Sequence, residues 1–196
     1  MKFKYLIIPL TLLYCCQQQN TTNPRVVIAT EMGNIELEVY LDKAPITAAN
    51  FMAYVDSGKY NNAAYFYRVV RPDNQPHSPV KIEVIQGGFF QDSLIEKYQL
   101  PPIPHETTRK TGIRHKDGTL SMARYTPGTA SSEFFICIGN NYALDYDGAR
   151  NSDGQGFAAF GRVVKGMDVV RAIQQQRDTS QYLVNPVKII SVRRAD

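Results

Sequence analysis

Three carboxylates fall in one glycine-rich stretch, Asp145-Tyr146-Asp147-Gly148 through Asp153-Gly154, and hard oxygen ligands grouped in this way suit calcium. The stretch lacks the ordered third ligand and the terminal glutamate of an EF-hand loop, so it reads as a solvated turn and no metal site is assigned. His77, His105 and His115 sit in expected loops without metal-ligand spacing and read as surface residues. A Ser/His/Asp hydrolase would need a nucleophile motif, and none supports it. Cys15 and Cys16 are adjacent, a spacing that seldom forms a bridge and fits no zinc pattern, which leaves Cys137 as the one thiol further along. Arg68 in a β-rich run and the tripeptide Gln86-Gly87-Gly88 are, each taken alone, a solvated strand residue and a turn. Metal, thiol and nucleophile chemistry are therefore set aside.

The chain that must position any remaining chemistry has 196 residues, 43% of them hydrophobic and 20% charged, which suits one soluble domain with its own core. Its net charge of +4 is small and evenly scattered, which excludes the basic footprint of a nucleic-acid binder.

The first residues read as an address. Met1-Lys2-Phe3-Lys4 is a short positive start, and Tyr5 to Tyr14 is an apolar run too short to span about 30 Å of hydrocarbon as a helix. The run ends in Leu12-Leu13-Tyr14-Cys15-Cys16, so residues 1–15 are expected to be a signal peptide of the lipoprotein type, with Cys15 or Cys16 as the lipidated residue. Residues 16–24 contain Gln17 to Asn23, uncharged and polar, and read as a flexible tether. The folded domain is expected over residues 25–196.

Within that domain, Val26 to Thr30, turn chemistry at Glu31-Met32-Gly33-Asn34, and the alternating run Ile35 to Leu41 predict an antiparallel hairpin with one wet face. Pro45 suits a first helical turn, Ala48, Phe51, Met52 and Val55 follow at helical spacing, and Gly58 is placed to end that helix. Further β-like runs are Ala64 to Val70, Ile82 to Gln86, Thr119 to Ala123, Glu133 to Ile138, Phe157 to Val163 and Val187 to Val192. A second helix is expected from Met167 to Gln174. Eight short strands and two helices predict a mainly β fold, a closed barrel with a helix over each open end.

Three segments then carry a resemblance: Phe66-Tyr67-Arg68-Val69-Val70, Val84-Ile85-Gln86-Gly87-Gly88, and Leu120-Ser121-Met122-Ala123 running on to Ser132-Glu133-Phe134-Phe135-Ile136-Cys137. Together with Leu144-Asp145, Phe157 to Val163 and Gly166 to Val170 they resemble the cyclophilins, over about Val26 to Val192. The resemblance implies an eight-stranded antiparallel barrel capped by two helices, peptidyl-prolyl cis-trans isomerase activity, and no cofactor. It makes Arg68 the donor to the prolyl nitrogen and Gln86 the residue that holds the substrate backbone. Phe135 becomes the floor of the proline pocket, with Val84, Leu144 and Phe157 lining it. Ala123 and Arg124 run along the substrate, with the Arg124 side chain at the rim.

The sequence departs from the family pattern in four places. Glu133 stands for the usual glutamine, Ala143 for a tryptophan, Phe157 for a histidine, and Glu83-Val84 for an aromatic residue and methionine. Glu133 is expected to accept a hydrogen bond and to pair with Arg68 or Arg124. The loop from Arg71 to Lys81 is longer than the connection usual there, and reads either as a determinant of substrate choice or as a tolerated surface insertion. The expected partners are proline-containing segments of exported proteins, met by a monomer in the cell envelope, with no nucleic acid and no membrane contact beyond the lipid. The competing reading is a proline-segment binding chaperone or scaffold with little catalysis, favoured by Glu133 and Ala143.

Overall fold

The structure, a computed structural model, describes residues 23–195. The expected leader, both candidate lipidation sites Cys15 and Cys16, and all but the end of the tether lie outside the described residues.

β1 (Arg25–Thr30) and β2 (Gly33–Val39) form the predicted hairpin, closed by Glu31-Met32, with Thr30 Oγ1 donating to the Gly33 carbonyl at 2.8 Å. α1 (Pro45–Asp56) follows, then β3 (Tyr65–Val70) and β4 (Val84–Gly88). After two short helices, α2 (Asp92–Tyr98) and α3 (Thr108–Thr111), come β5 (Thr119–Met122), β6 (Phe134–Cys137) and β7 (Ala158–Lys165). α4 (Met167–Gln174), the two-residue β8 (Asp178–Thr179) and the long β9 (Tyr182–Arg194) complete the chain. The strands pair antiparallel in the order β1-β2-β7-β5-β6-β4-β3-β9, and β1 pairs with β9 to close the ring, with β8 appended to β9. This is the expected eight-stranded closed barrel.

The two expected helices are present and pack as predicted: Phe51, Met52 and Val55 of α1 and Val170 and Ile173 of α4 are buried in the central core. α1 begins at Pro45 without a side-chain cap of its own. Glu106, remote in sequence, supplies the missing acceptor, taking hydrogen bonds from the Thr47 amide at 2.6 Å and its hydroxyl at 2.7 Å. α4 is entered through Gly166, at φ +88°, where a Cβ would overlap the Asn34 carbonyl.

α2 and α3 were not expected. α2 is short, with Leu94, Ile95 and Tyr98 only partly buried, and α3 is a single polar turn ended by Gly112 at φ +70°, so neither carries a helical stripe. β9 starts five residues before its predicted start at Val187 and runs through Pro186. The register between β3 and β9 shifts there, Phe66 facing Val187 and Arg68 facing Tyr182, and Pro186 lies in the unpaired stretch where its missing N–H breaks no ladder.

Candidate active site

One register row of the barrel carries the candidate site. Arg68 on β3 stands opposite Gln86 on β4, Gln86 opposite Phe135 on β6, and Phe135 opposite Ser121 on β5. These side chains share the outer face, because their chain neighbours Val69, Ile85, Phe134, Ile136 and Leu120 belong to the central core. β3 reaches this arrangement through a bulge: Phe66 pairs with Gly87 and Arg68 with Gln86, which leaves Tyr67 as an extra residue. Strict alternation would turn Arg68 to the same side as the fully buried Phe66. The added residue instead directs both Tyr67 and Arg68 outward.

Arg68 is half-buried between two neutral amides. Its Nη1 donates to Gln86 Oε1 at 2.8 Å, while Nε and Nη2 donate to Gln181 Oε1 at 3.1 and 2.5 Å. A guanidinium has only donors, so Gln86 turns its oxygen to Arg68 and its nitrogen the other way, where Nε2 donates to the Tyr67 hydroxyl at 2.7 Å. Tyr67 in turn donates to Glu133 Oε2 at 2.6 Å. The donors all point in one direction, from the cation of Arg68 to the carboxylate of Glu133, and each bond polarises the next.

Glu133 is a correction to the expectation. Neither Arg68 nor Arg124 pairs with it; its other partners are the Phe89 amide at 2.8 Å and the Ser132 hydroxyl at 3.2 Å. Its carboxylate occupies the space over Gly88, where a Cβ would overlap it. Burial raises the Glu133 pKa, against the donors from Tyr67, Phe89 and Ser132 that favour the anion. Burial likewise lowers the pKa of Arg68 and raises that of Tyr67.

Beside Arg68 the outer face turns apolar. Phe135 packs with Val70, Ile82, Val84 and Leu144 in a cluster apart from the central core, with Ala123 and Phe157 against it. Phe157 meets the Phe135 ring edge-on, centroids 5.3 Å apart. Behind Phe135 lies His115, stacked at 6.0 Å and wholly buried, against the surface position expected for it. Its two ring nitrogens explain the burial: Nδ1 is 2.8 Å from Asp145 Oδ1 and Nε2 is 2.9 Å from Ser121 Oγ. The Asp-His-Ser order matches a hydrolase triad, but Ser121 and His115 are each 0% exposed, so the hydroxyl is closed to substrate and the chain of bonds stiffens the pocket floor.

In the acidic stretch Asp147 and Asp153 are exposed, as a solvated turn implies, while Asp145 is buried. Asp145 also accepts from the His115 amide and Arg114 Nε, both at 2.9 Å, and Asp153 grips Arg124 with both oxygens, at 2.7 and 3.0 Å. Among the described residues, no group of three or more His, Cys, Asp or Glu side chains is arranged to hold a metal ion. The Arg124 side chain, expected at the rim, is 1% exposed: it donates to the Gly156 carbonyl and lies 5.2 Å from the Phe157 ring centroid.

Arg68, Gln86, Phe135, Ala123, Arg124, Glu133, Val84, Leu144 and Phe157 thus line one cleft of about 610 Å³. None of residues 71–81 lines it. That loop instead packs behind Arg68, with Arg71 donating to the Gln174 carbonyl at 2.7 Å and pairing with Asp178. Sequence reasoning missed Tyr67 and Gln181, the direct partners of Gln86 and Arg68. Tyr67 depends on a bulge that no residue type announces, and Gln181 on a hairpin 113 residues away from Arg68.

Comparison with known proteins agrees with this geometry. The family profile described as Cyclophilin type peptidyl-prolyl cis-trans isomerase/CLD matches residues 25–194. A peptidyl-prolyl cis-trans isomerase of Acinetobacter baylyi is 41% identical over 178 residues, 87% of this chain and 85% of that one. Peptidyl-prolyl cis-trans isomerase A of Dickeya dadantii is 36% identical, covering 89% of this chain and 85% of its own. The crystal structure of a Cryptosporidium parvum cyclophilin type peptidyl-prolyl cis-trans isomerase superposes with a TM-score of 0.70 at 21% identity, covering 89% of this chain and 98% of that one. With the profile spanning the whole barrel, from β1 through the last strand, the chain belongs to the cyclophilin-type peptidyl-prolyl cis-trans isomerase family.

Proposed function

We propose that the chain catalyses rotation about Xaa-Pro bonds in polypeptide segments, with Arg68 as the donor and Phe135 as the floor of the proline pocket. The observation that carries this reading is the register row itself: a guanidinium and an amide side by side on the barrel face, next to an apolar pocket.

The Xaa-Pro bond resists rotation with a barrier of about 18–20 kcal/mol, because amide resonance is lost at the twisted state. There the prolyl nitrogen becomes pyramidal and gains a usable lone pair. A donor fixed beside it lowers the barrier because it binds the twisted state better than either planar one. Of the five N–H groups of Arg68, the two glutamines occupy three, which leaves one on each terminal nitrogen for the substrate. Gln86 Nε2 has a second hydrogen beyond the one given to Tyr67, suited to the substrate carbonyl. An acceleration of ten-thousand-fold needs about 5.5 kcal/mol, within reach of one or two preorganised charge-assisted bonds with anchoring in the pocket.

Exchange NMR on a short Xaa-Pro peptide with a catalytic amount of protein tests the reading. Faster cis-to-trans exchange supports an isomerase. A folded protein that binds the peptide and leaves the rate uncatalysed instead supports the binding chaperone, which the altered positions Glu133 and Ala143 favour.

We further propose, from the N-terminal residues, that the protein acts outside the cytoplasm, as a monomer assisting the folding of exported proteins and tethered by lipid at Cys15 or Cys16. The positive start, short apolar run and adjacent cysteines support it. Mass spectrometry of the mature N-terminus reads out the lipid directly, and light scattering reads out the monomer.

A further inference from the structure

We propose that Gln181 is a positioning residue for Arg68, holding the guanidinium in place from the side opposite Gln86. The inference rests on the isomerase reading above and adds to it a residue and the loop that supports it.

Gln181 Oε1 takes two bonds from one edge of the guanidinium, from Nε and Nη2, while Gln86 takes one from Nη1. Holding both edges stops the group from rotating about its long side chain. Both holders are neutral amides, and no described ion pair includes Arg68. Arg68 is therefore oriented without being neutralised, which is what a donor to a developing lone pair requires.

Gln181 is itself held at every polar group. Its amide donates to Asp178 Oδ2 at 3.0 Å, and its carbonyl accepts from the amide of Val69, next to Arg68, at 2.8 Å. Its Nε2 donates to the Asn74 carbonyl at 3.1 Å. Asn74 and Arg71, both from the long loop, also hold Asp178. The loop therefore neither lines the cleft nor hangs free; it braces the hairpin that presents Gln181.

The backbone points the same way. Ser180 and Gln181 form the two-residue turn between β8 and β9, at φ +52° and +77°, where Asn-Gly is the relaxed choice. A non-glycine, unbranched amide in a left-handed position carries strain that its side-chain bonds to Arg68 offset.

Gln181→Asn is the first test, because asparagine tolerates the left-handed backbone and keeps the turn but is one methylene too short to reach the guanidinium. We expect a thermal midpoint at or above wild type, Xaa-Pro turnover slowed about tenfold through kcat with peptide Kd nearly unchanged, and lower order at the Arg68 Nε–H in ¹⁵N relaxation. Gln181→Glu is the second test. It keeps the reach and adds an anion, so it should keep Arg68 ordered yet lower kcat, because position is restored and the cationic field is cancelled. Turnover within twofold of wild type and unchanged Arg68 Nε–H order in Gln181→Asn would overturn the proposal, as would a loss of turnover that only follows a loss of stability. Failure of the isomerase reading looks different: wild type would not accelerate exchange, while the Arg68 Nε–H signal would still respond to Gln181→Asn.

Discussion

The hydroxyl of Tyr67 donates to the buried carboxylate of Glu133 at 2.6 Å while accepting from Gln86 Nε2 at 2.7 Å. This fixes which way the Gln86 amide faces, and with it the acceptor that Arg68 meets. Tyr67→Phe removes the acceptor for Gln86 and one donor to Glu133. The expected result is turnover several-fold slower with nearly unchanged peptide affinity, measured by exchange NMR, and a stability loss of about 1–3 kcal/mol from the under-satisfied carboxylate. Equal loss in affinity and turnover would place Tyr67 in substrate binding instead.

Glu133 predicts a pH dependence with a definite sign. Burial raises its pKa in the folded protein, so the folded state binds the proton more tightly than the unfolded chain. Its stabilising contribution is fully present below the unfolded carboxyl pKa and is lost as pH rises through the higher folded value. Between those two values, wild type should therefore gain thermal stability relative to Glu133→Gln as the pH is lowered. Parallel melting curves for the two proteins across that window would contradict the assignment.

Glu106 caps α1 from 59 residues away in sequence. Glu106→Ala leaves the Thr47 amide and hydroxyl without that acceptor, in a place where Thr47 is 0% exposed. A loss of about 1–3 kcal/mol is expected in urea unfolding, with turnover at low temperature little changed.

Arg124 supports a pocket wall rather than the chemistry. Its bonds to Asp153 and Gly156 and its place against Phe157 hold that ring edge-on to Phe135. Arg124→Ala should raise KM several-fold and leave kcat close to wild type. A fall in kcat at constant KM would mean that Arg124 touches the twisted bond.

Much of this arrangement is legible in the residues. The β1–β2 hairpin and the stripes of α1 and α4 follow from alternation and spacing, and the motifs around Arg68, Gln86 and Phe135 mark a cleft whose expected lining residues do come together. What alternation cannot locate is the one-residue bulge at Tyr67, which decides that Arg68 faces outward. Nor do residue types reveal that His115 finds Asp145 and Ser121 in the interior, or that Gln181 reaches Arg68 across the barrel face. The contacts of His115 with Asp145 and of Gln181 with Arg68 join residues 30 and 113 apart in the chain, and the fold brings them within hydrogen-bonding distance.

The most direct test compares wild type with Arg68→Ala at equal concentration, following cis-to-trans exchange of an Xaa-Pro peptide by NMR. Loss of a preorganised donor of this type should slow turnover about 100- to 1,000-fold while the folded barrel and peptide binding persist. An Arg68→Ala protein that turns over as fast as wild type would contradict the account.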